Sequence, residues 1–488
     1  VSADTWLIDP KDFTIASSNG DITGTALSTN LATANVIIES VNGTTDGNGD
    51  IFVNDTISWS SDKKLTLNAE NDIFINESII VTNATGKLEL LYGQGSGASN
   101  NTSNYYVNTP VNLKAGQNFT TKLGSDGNTV DWTVITSLGV EGDTSSLSGN
   151  EMTLQGINTA LSGNYVLGSN IDSSNTSTWN NGKGFFTLGY WPNTQFGGNI
   201  DGLGHTISNL YINRSDESYT GFIGLLNGGT ISNIGLTNLS IIGKDSVGGL
   251  VGSSKGTITN SYTTGSVNGT NYIGGLVGNN SGTITNSYAT GSVNGTNYIG
   301  GLVGSSFNSV ITNSYATSLV SGTTNVGGLI GYKTSSNHSI TNSFWDKDTS
   351  GQASSNGGTG LSTVEFTDSS NFSSWNTDSW SFGAGVDTEG YEIASRPYLK
   401  GVTAQADKPT TTTLFNSGFG TELSPYTITN WTQLQNIDNS AVVSSPYYYN
   451  LSNDLDNQTT DYLAIVGDVT DTNNTGFDSI GDYYTKCT

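Results

Sequence analysis

Residues 257–260 read Thr-Ile-Thr-Asn, and residues 283–286 repeat the same four residues. Six such segments occur at steps of 24 to 29 residues, with their isoleucines and asparagines at Ile207/Asn209, Ile231/Asn233, Ile258/Asn260, Ile284/Asn286, Ile311/Asn313 and Ile340/Asn342. A fixed period of this size is typical of a solenoid, in which each repeat buries its apolar face only by stacking on its neighbours. The chain is therefore predicted to grow coil upon coil and to offer surface instead of a catalytic pocket.

The repeated tetrapeptide predicts the layout of one strand. In Thr283-Ile-Thr-Asn the isoleucine points inward and the threonines point outward, because side chains alternate along a strand. With coils stacked about 4.8 Å apart, the isoleucines form an apolar column. The asparagines are predicted to form a ladder of amide hydrogen bonds, with rungs at Asn209, Asn233, Asn260, Asn286, Asn313 and Asn342.

A second motif, Gly-Gly-Leu-Val-Gly, recurs in phase with the first. It begins at Gly248, Gly274 and Gly300, followed by Gly327-Gly-Leu-Ile-Gly, and Gly221-Phe-Ile-Gly is a degenerate first copy. We expect the paired glycines to adopt positive φ and to allow close backbone approach where the strand turns a corner.

Composition restricts the partners of this chain. Its 488 residues include 41 acidic and 16 basic side chains, for a formal net charge of −25. Such a charge repels phosphate backbones and anionic lipid, so nucleic-acid partners are not expected. The single cysteine, Cys487, rules out an internal disulfide. Because Val1 is not preceded by Met or a signal sequence, we expect the chain to be a piece of a longer protein.

Motifs for catalysis are sparse. Enzymes that cleave polysaccharides cluster carboxylates with a basic residue or calcium, and the only close acid–histidine pair here is Asp201 with His205, which we interpret as structural. A zinc peptidase needs His-Glu-x-x-His, and His338 is the only other histidine. The sequence therefore predicts no catalytic residue, no cofactor and no metal site.

Glycosylation sequons are dense, about nineteen in the chain. None of the six predicted ladder asparagines belongs to one. The Asn-Gly-Thr sequons at Asn268 and Asn294 fall at predicted exposed turns, and Asn42 and Asn54 are further candidates. We predict N-linked sugars at these positions.

Short alternating segments fill residues 1 to about 140, which suits a β-sandwich or the coils of a β-helix. Trp6-Leu-Ile-Asp-Pro, Gly49-Asp-Ile-Phe-Val, Leu65-Thr-Leu-Asn-Ala and Asp72-Ile-Phe-Ile-Asn resemble the segment after the secretion domain in large exoproteins of the filamentous-haemagglutinin type. The resemblance implies a right-handed parallel β-helix, two-partner secretion and an outer-membrane secretion partner.

The glycine-rich repeats resemble GLUG-motif repeats, and Ile200-Asp-Gly-Leu-Gly-His looks like the entry to such an array. The predicted organisation is a haemagglutinin-type β-helix (1–140), entry coils (141–215), GLUG repeat coils (216–345), a cap over the last coil (346–400), a linker (401–413) and the start of a second, truncated array (414–488). We expect the natural chain to continue past Thr488.

The repeats predict an all-β, elongated parallel β-helix. The two resemblances imply that it is right-handed and that it is secreted or displayed on a bacterial cell surface. We expect it to act as an adhesin or extracellular fibre component that binds host or neighbouring cell-surface glycans or proteins without catalysis. The alternatives are a self-assembling filament subunit, built from its own copies, and a polysaccharide-active β-helix enzyme. Aromatic residues on loops, among them Trp179, Trp191 and Phe307, are candidate sugar contacts, with packing against the solenoid as the favoured alternative for any one of them.

Overall fold

The structure, a computed structural model, describes residues 5–8, 11–40, 47–142, 152–190, 194–334, 337–363, 365–382, 385–386, 392–393, 396–402, 426–429, 431–435, 448–452 and 455. The chain divides into two compact units. The first, called the solenoid unit below, contains the described residues up to Gly360 together with Trp375–Trp380 and residues 399–402. Asn42, Trp191, Cys487, most of the predicted linker and most of the predicted second array lie outside the described residues.

One sheet of 13 strands runs the length of the solenoid unit, and every pair of neighbours in it is parallel except β12 and β13. Numbered along the chain and given in spatial order, its strands are β1 (Thr5–Ile8), β3 (Asn35–Glu39), β6 (Lys64–Asn68), β9 (Lys87–Tyr92), β12 (Gly116–Leu123), β13 (Val130–Ile135), β14 (Asn164–Leu167), β16 (Asn199–Asp201), β20 (Thr230–Ser232), β24 (Thr257–Thr259), β28 (Thr283–Thr285), β32 (Val310–Thr312) and β37 (Ser339–Thr341).

Shorter parallel sheets form the other sides of the coils. Over the first coils these are β2 (Phe13–Ala16), β4 (Ile51–Asn54), β7 (Ile73–Ile75) and β10 (Tyr105–Val107), and β5 (Ile57–Trp59), β8 (Ile79–Val81) and β11 (Val111–Asn112). A ten-stranded sheet then contains β15 (Ile171–Asp172), β17 (Thr206–Ser208), β18 (Tyr211–Asn213), β21 (Gly235–Ile242), β25 (Tyr262–Asn268), β29 (Tyr288–Asn294), β33 (Tyr315–Ala316), β34 (Leu319–Ser321), β38 (Phe344–Asp346) and β39 (Thr359–Leu361).

Two further sheets close the later coils. One contains β19 (Ile223–Leu226), β23 (Val251–Ser254), β27 (Val277–Asn280), β31 (Val303–Ser306) and β36 (Ile330–Lys333), and the other β22 (Asp245–Gly248), β26 (Asn271–Gly274), β30 (Asn297–Gly300) and β35 (Thr324–Gly327). The helical segments are α1 (Gly24–Leu31), α2 (Lys347–Ser350) and α3 (Trp431–Gln435), with 3-10 turns at Gln155–Thr159, Ser174–Gly182, Glu365–Thr367 and Ser369–Phe372.

The remaining strands are short. They are β40 (Trp380–Ser381), β41 (Gly385–Val386), β42 (Glu392–Ile393), β43 (Tyr398–Leu399), β44 (Tyr426–Ile428) and β45 (Tyr449–Leu451). In the second unit β44 and β45 pair in parallel, with Tyr426 opposite Tyr449. The predicted second array therefore includes at least one pair of stacked strands.

Coils of the repeat region stack in register. Ile258 lies opposite Ile284, and Ile284 lies opposite Ile311. These three isoleucines are fully buried, whereas the flanking Thr283 and Thr285 are only half-buried. The predicted all-β parallel solenoid, with inward isoleucines and outward threonines, is confirmed.

The first of the six predicted repeats belongs to a different column. Ile207 on β17 lies opposite Leu236 of the ten-stranded sheet, and the residue opposite Ile231 in the main column is Ile200. Strands of both sheets end in the same kind of corner, so Thr-Ile-Ser-Asn occurs in either one. The prediction that all six isoleucines form one column is therefore wrong at Ile207.

The paired glycines also differ from expectation. Close approach is present, because a Cβ on Gly274 would lie 2.1 Å from the carbonyl oxygen of Val277 and one on Gly275 would lie 2.3 Å from that of Gly301. Positive φ is absent from both glycines. Glycine is needed here because backbones of adjacent coils touch, while left-handed corners fall on other residues.

Residues 375–380, called the strap below, lie along the side of the solenoid instead of covering its last coil. The Trp375 indole donates to the carbonyl oxygen of Asn342 at 2.9 Å, and the rings of Trp375 and Trp380 both pack against Tyr315. The last coil is contacted by an earlier segment, where Ser355 Oγ accepts from the backbone N–H of Leu329. The predicted cap (346–400) is thus divided between these two positions.

Replacing Gly275 with alanine is expected to destabilise the solenoid by about 1–3 kcal/mol, since the new methyl group would overlap the backbone of the next coil. Gly197→Ala is the matched control, because the only atom within 4 Å of its added Cβ is Asn227 O at 3.5 Å. Urea denaturation would measure both free energies of unfolding. Equal values for the two variants would contradict the close packing of coils at the glycine pairs.

Candidate contact surfaces and amide ladders

All six predicted ladder asparagines occupy the left-handed region of φ. Their φ values are 59° at Asn209, 50° at Asn233, 46° at Asn260, 46° at Asn286, 49° at Asn313 and 48° at Asn342. Asparagine tolerates this conformation better than other residues that carry a Cβ. The recurrent asparagine thus serves first as the corner residue at which one strand ends and the next side of the coil begins.

An amide ladder joins three of these corners. Asn260 Nδ2 donates to Asn233 Oδ1 at 3.1 Å, and Asn286 Nδ2 donates to Asn260 Oδ1 at 3.1 Å. Below them, Asn233 Nδ2 donates to both carboxylate oxygens of Asp201 at 3.1 Å. The ladder therefore starts on an aspartate and runs through Asn286.

The other three predicted rungs lie outside that ladder. Asn209 accepts from Asn238 and donates to Asp172 at 2.8 Å, so it belongs to a separate ladder on the ten-stranded sheet. Among the described residues, Asn313 Oδ1 is buried with no hydrogen-bond partner, and Asn342 is exposed. At Asn286 Oδ1 the acceptor position is taken by the indole N–H of Trp380, at 3.3 Å.

Asp201 joins the repeat array to the coils before it. Its carboxylate accepts from the Tyr105 hydroxyl at 2.6 Å and from the backbone N–H of Leu203 at 2.7 Å, besides the Asn233 amide. Burial raises the pKa of Asp201 even though these hydrogen bonds favour its charged form. The Asp201 carboxylate therefore serves as a hydrogen-bond acceptor within the fold.

His205 does not form a pair with Asp201. Its Nε2 lies 2.9 Å from Val111 O and its Nδ1 lies 3.2 Å from Asn170 Oδ1. Burial lowers its pKa, and since Val111 O and Asn170 Oδ1 both accept, the neutral imidazole donates its single N–H to one of them. Both residues of the only candidate acid–histidine pair are thus buried and already hydrogen-bonded.

Metal clusters and membrane-spanning helices are two further kinds of feature that the described residues could contain. In the described part of the chain no group of three or more His, Cys, Asp or Glu residues is arranged to hold a metal ion. No helix there has the length and apolarity to cross a membrane.

An aromatic stack at one corner was not predicted from the sequence. The rings of Tyr272 and Tyr298 stack at 4.8 Å with an interplanar angle of 5°, and Tyr332 packs on Tyr298 at 4.9 Å. All three side chains are partly exposed. Tyr272 and Tyr298 have φ of 60° and 63°, in the left-handed region. The repeated Asn-Tyr-Ile-Gly at 271–274 and 297–300 was the available signal.

The predicted aromatic contacts are placed differently from one another. Trp179 is buried, 7% exposed, so it packs inside the solenoid and is not exposed as a sugar contact would be. Phe307 is 48% exposed, as predicted. Phe186, not singled out from the sequence, is 41% exposed and lies under the buried guanidinium of Arg214, 4.9 Å from ring centroid to Cζ. Arg214 pairs in turn with Glu217 at 3.1 Å.

The described candidate glycosylation sites are themselves parts of amide ladders. Asn294 Nδ2 donates to Asn268 Oδ1 at 3.0 Å, and both side chains are half-buried. Asn54 is exposed and accepts from Asn76 Nδ2 at 2.7 Å. Amide ladders thus extend well beyond the tetrapeptide that predicted them.

This fold and these repeats define a β-solenoid that contains GLUG repeats. The family model of the GLUG motif matches residues 269–294 and 295–320. Over 107 residues the chain is 45% identical to halomucin of Haloquadratum walsbyi, a match that covers 21% of this chain and 1% of halomucin. The crystal structure of a protein described as an immunoglobulin A1 protease from Bacteroides ovatus aligns with a TM-score of 0.35 and 21% identity, over 49% of this chain and 85% of that one. The filamentous-haemagglutinin resemblance stays a prediction.

Truncating Asp201 to alanine is expected to cost about 2–5 kcal/mol, because the Tyr105 hydroxyl, the Leu203 N–H and the Asn233 amide would lose their buried acceptor. Asp216→Ala serves as control, since that side chain is 74% exposed and 3.8 Å from Lys183, and a change within about 0.5 kcal/mol is expected. Thermal and urea unfolding would compare them. A cost at Asp201 no larger than at Asp216 would disprove its anchoring role.

Proposed function

We propose that this chain is part of a large extracellular or cell-surface protein and acts there as an adhesin, binding cell-surface glycans through the solenoid surface without catalysis. The GLUG repeats and the similarity to halomucin support the placement outside the cell. The resemblance of residues 1–140 to secreted haemagglutinins supports it as well. The buried, hydrogen-bonded state of Asp201 and His205 supports a role without catalysis.

The observation that carries the proposal is the pair of strained, partly exposed tyrosines at one corner. A bulky residue in the left-handed region costs roughly 1–2 kcal/mol. At the equivalent corner of the next coil the chain uses Asn325, with φ of 53°, so the corner itself does not require an aromatic ring. Tyr272 and Tyr298 therefore place aromatic surface at the exterior despite their backbone strain.

Polar groups beside the tyrosines suit a sugar ligand. Asn297 Nδ2 donates to Asn271 Oδ1 at 2.9 Å, and Asn271 Nδ2 donates to Asp245 Oδ1 at 2.6 Å. An amide and carboxylate row thus runs next to the aromatic stack at the same coil spacing. Tyrosine combines an apolar ring with a hydroxyl, which is suited to surfaces that are wet on one side. Together these groups offer apolar contact and hydrogen bonds to a saccharide.

A filament subunit is favoured by a separate observation. Phe307, Val310 and Leu319 all belong to one coil and are 48%, 39% and 55% exposed. Val310 and Leu319 belong to different sheets, so this coil exposes apolar side chains on more than one side, where a second copy could make contact. Ordered polymers of the purified chain, abolished by Leu319→Ser, would support this second function; a monomer at all concentrations in sedimentation would count against it.

The adhesin proposal is tested with the double variant Tyr272→Asn/Tyr298→Asn. Relief of strain offsets the lost ring stacking of about 0.5–1.5 kcal/mol, so the free energy of unfolding should change by no more than about 1 kcal/mol. Binding to immobilised cell-surface glycans should fall at least tenfold, about 1.4 kcal/mol. Val310→Ser, on another sheet, is the control and should bind as the unmodified chain does.

Two results would contradict the proposal. Saturable glycan binding that survives in the double variant would place the contact elsewhere. A double variant that loses several kcal/mol of stability would show that the tyrosines serve the fold instead of a ligand.

A further inference from the structure

The first rung of an amide ladder differs from all later rungs. Each later asparagine uses Nδ2 to donate to the coil before it, and each rung between the first and the last also uses Oδ1 to accept from the coil after it, as Asn260 does. The first rung has no amide below it, so only its acceptor is needed. An aspartate fits this position because a carboxylate accepts and has no donor to leave unsatisfied.

Three ladders start in this way. Asp201 accepts from Asn233, Asp172 accepts from Asn209, and Asp245 accepts from Asn271. Their bond lengths are 3.1, 2.8 and 2.6 Å. The chain thus repeatedly places a carboxylate where a ladder begins.

Three ladders start on asparagine instead. In one of them Asn164 accepts from Asn199, and its own Nδ2 donates to the carbonyl oxygen of Asp131 at 3.5 Å. The first rungs of the other two have no such acceptor. Asn54 accepts from Asn76, which accepts in turn from Asn108, and Asn268 accepts from Asn294. In the coil before, the residues in register with the two first rungs are Ala16 and Ile242, which carry no side-chain acceptor. Among the described residues, neither Asn54 Nδ2 nor Asn268 Nδ2 has a hydrogen-bond partner.

Both of these exceptional first rungs are glycosylation sequons. Asn54-Asp-Thr and Asn268-Gly-Thr carry the required hydroxyl at Thr56 and Thr270, and both threonines are exposed. Asn76-Glu-Ser and Asn294-Gly-Thr are sequons as well, but their Nδ2 atoms are held in ladder bonds of 2.7 and 3.0 Å.

We propose that Asn54 and Asn268 are sites of N-linked glycosylation in the folded solenoid, and that ladder bonding protects Asn76 and Asn294. The donor is a sugar linked to a lipid diphosphate. The Asn Nδ2 forms a bond to the anomeric carbon C1, the bond from C1 to the diphosphate oxygen breaks, the lipid diphosphate leaves with the electron pair, and Nδ2 loses one proton to a base of the transferase. This chemistry needs an Nδ2 that is accessible and not donating elsewhere.

Sequence alone cannot separate two of these sites. Residues 264–278 and 290–304 are identical over 15 positions, so Asn268 and Asn294 have the same neighbours along the chain. They differ in the coils on either side: Asn268 lies between Ile242 and Asn294, and Asn294 lies between Asn268 and Ser321. A difference in glycan occupancy between Asn268 and Asn294 would therefore reflect their different neighbours in the stacked coils. This comparison does not depend on the proposed glycan contacts.

The test incubates the purified, folded chain with a single-subunit oligosaccharyltransferase and a lipid-diphosphate-linked sugar. Chymotryptic peptides distinguish the two repeats, because one contains Thr263 where the other contains Ala289. Occupancy at Asn268 should exceed that at Asn294 at least tenfold, and Asn54 should exceed Asn76 likewise. The excised peptides, with no ladder, should be modified equally at Asn268 and Asn294.

Two variants sharpen the result. Asn268→Ala removes the acceptor below Asn294 and should raise the occupancy of Asn294 at least tenfold. Asn268→Asp keeps that acceptor, so Asn294 should stay unmodified while the melting temperature is unchanged. Equal occupancy of Asn268 and Asn294 in the folded chain, an unmodified Asn268 when its peptide is modified, or no response of Asn294 to Asn268→Ala would each overturn the proposal.

Discussion

The repeat region depends on parallel coils stacked in register, so that many side chains have a similar residue directly above and below them. Each residue type must therefore pack or bond with copies of itself at the spacing between strands. Isoleucine satisfies this condition by apolar contact at Ile258, Ile284 and Ile311. Tyrosine satisfies it by ring stacking. The ring centroids of Tyr262 and Tyr288 are 4.7 Å apart, and those of Tyr288 and Tyr315 are 4.9 Å apart.

Charged residues meet the same condition with more difficulty, because identical charges stacked on one another repel. Amide ladders avoid the problem and use aspartate only as the starting acceptor, at Asp172, Asp201 and Asp245. Where aspartate does stand over aspartate, the backbone N–H of Asp72 donates to Asp50 Oδ1 at 3.0 Å. The pKa of Asp72 is raised, chiefly by burial and in part by Asp50. The low content of charged residues, 12%, and the abundance of asparagine follow from this constraint.

The period of the repeats and the inward isoleucines could be predicted because strand alternation and coil spacing are local properties. The place of Ile207 could not, since the same tetrapeptide ends strands of two different sheets and only the pairing with Leu236 distinguishes them. The sequence predicted positive φ for the paired glycines. Glycine is favoured both at left-handed corners and where two backbones approach closely, and the sequence does not distinguish the two causes. Exposure of Tyr272 and burial of Trp179 depend on which side of the coil each loop covers, which requires the three-dimensional structure.

The side chains at the corners of the coils differ in whether they stabilise the stacking or extend the exterior surface. Corners held by asparagine, such as Asn260 and Asn286, serve the fold, whereas those held by Tyr272 and Tyr298 add aromatic surface at the exterior. The strap covers part of one face, where Trp375 and Trp380 lie against Tyr315. Surfaces for partners are therefore expected on the sides that the strap leaves open.

Register is tested most directly by disulfide formation between outward positions, in a chain carrying Cys487→Ser. Thr257 lies opposite Thr283, so Thr257→Cys/Thr283→Cys places two Cα atoms about 4.8 Å apart, within disulfide range. Thr257→Cys/Thr285→Cys is shifted by two residues and places them roughly 8 Å apart, beyond that range. Rapid oxidation of the first pair alone, measured by mass spectrometry, is the predicted result. Oxidation of the shifted pair, or of neither, would contradict in-register stacking.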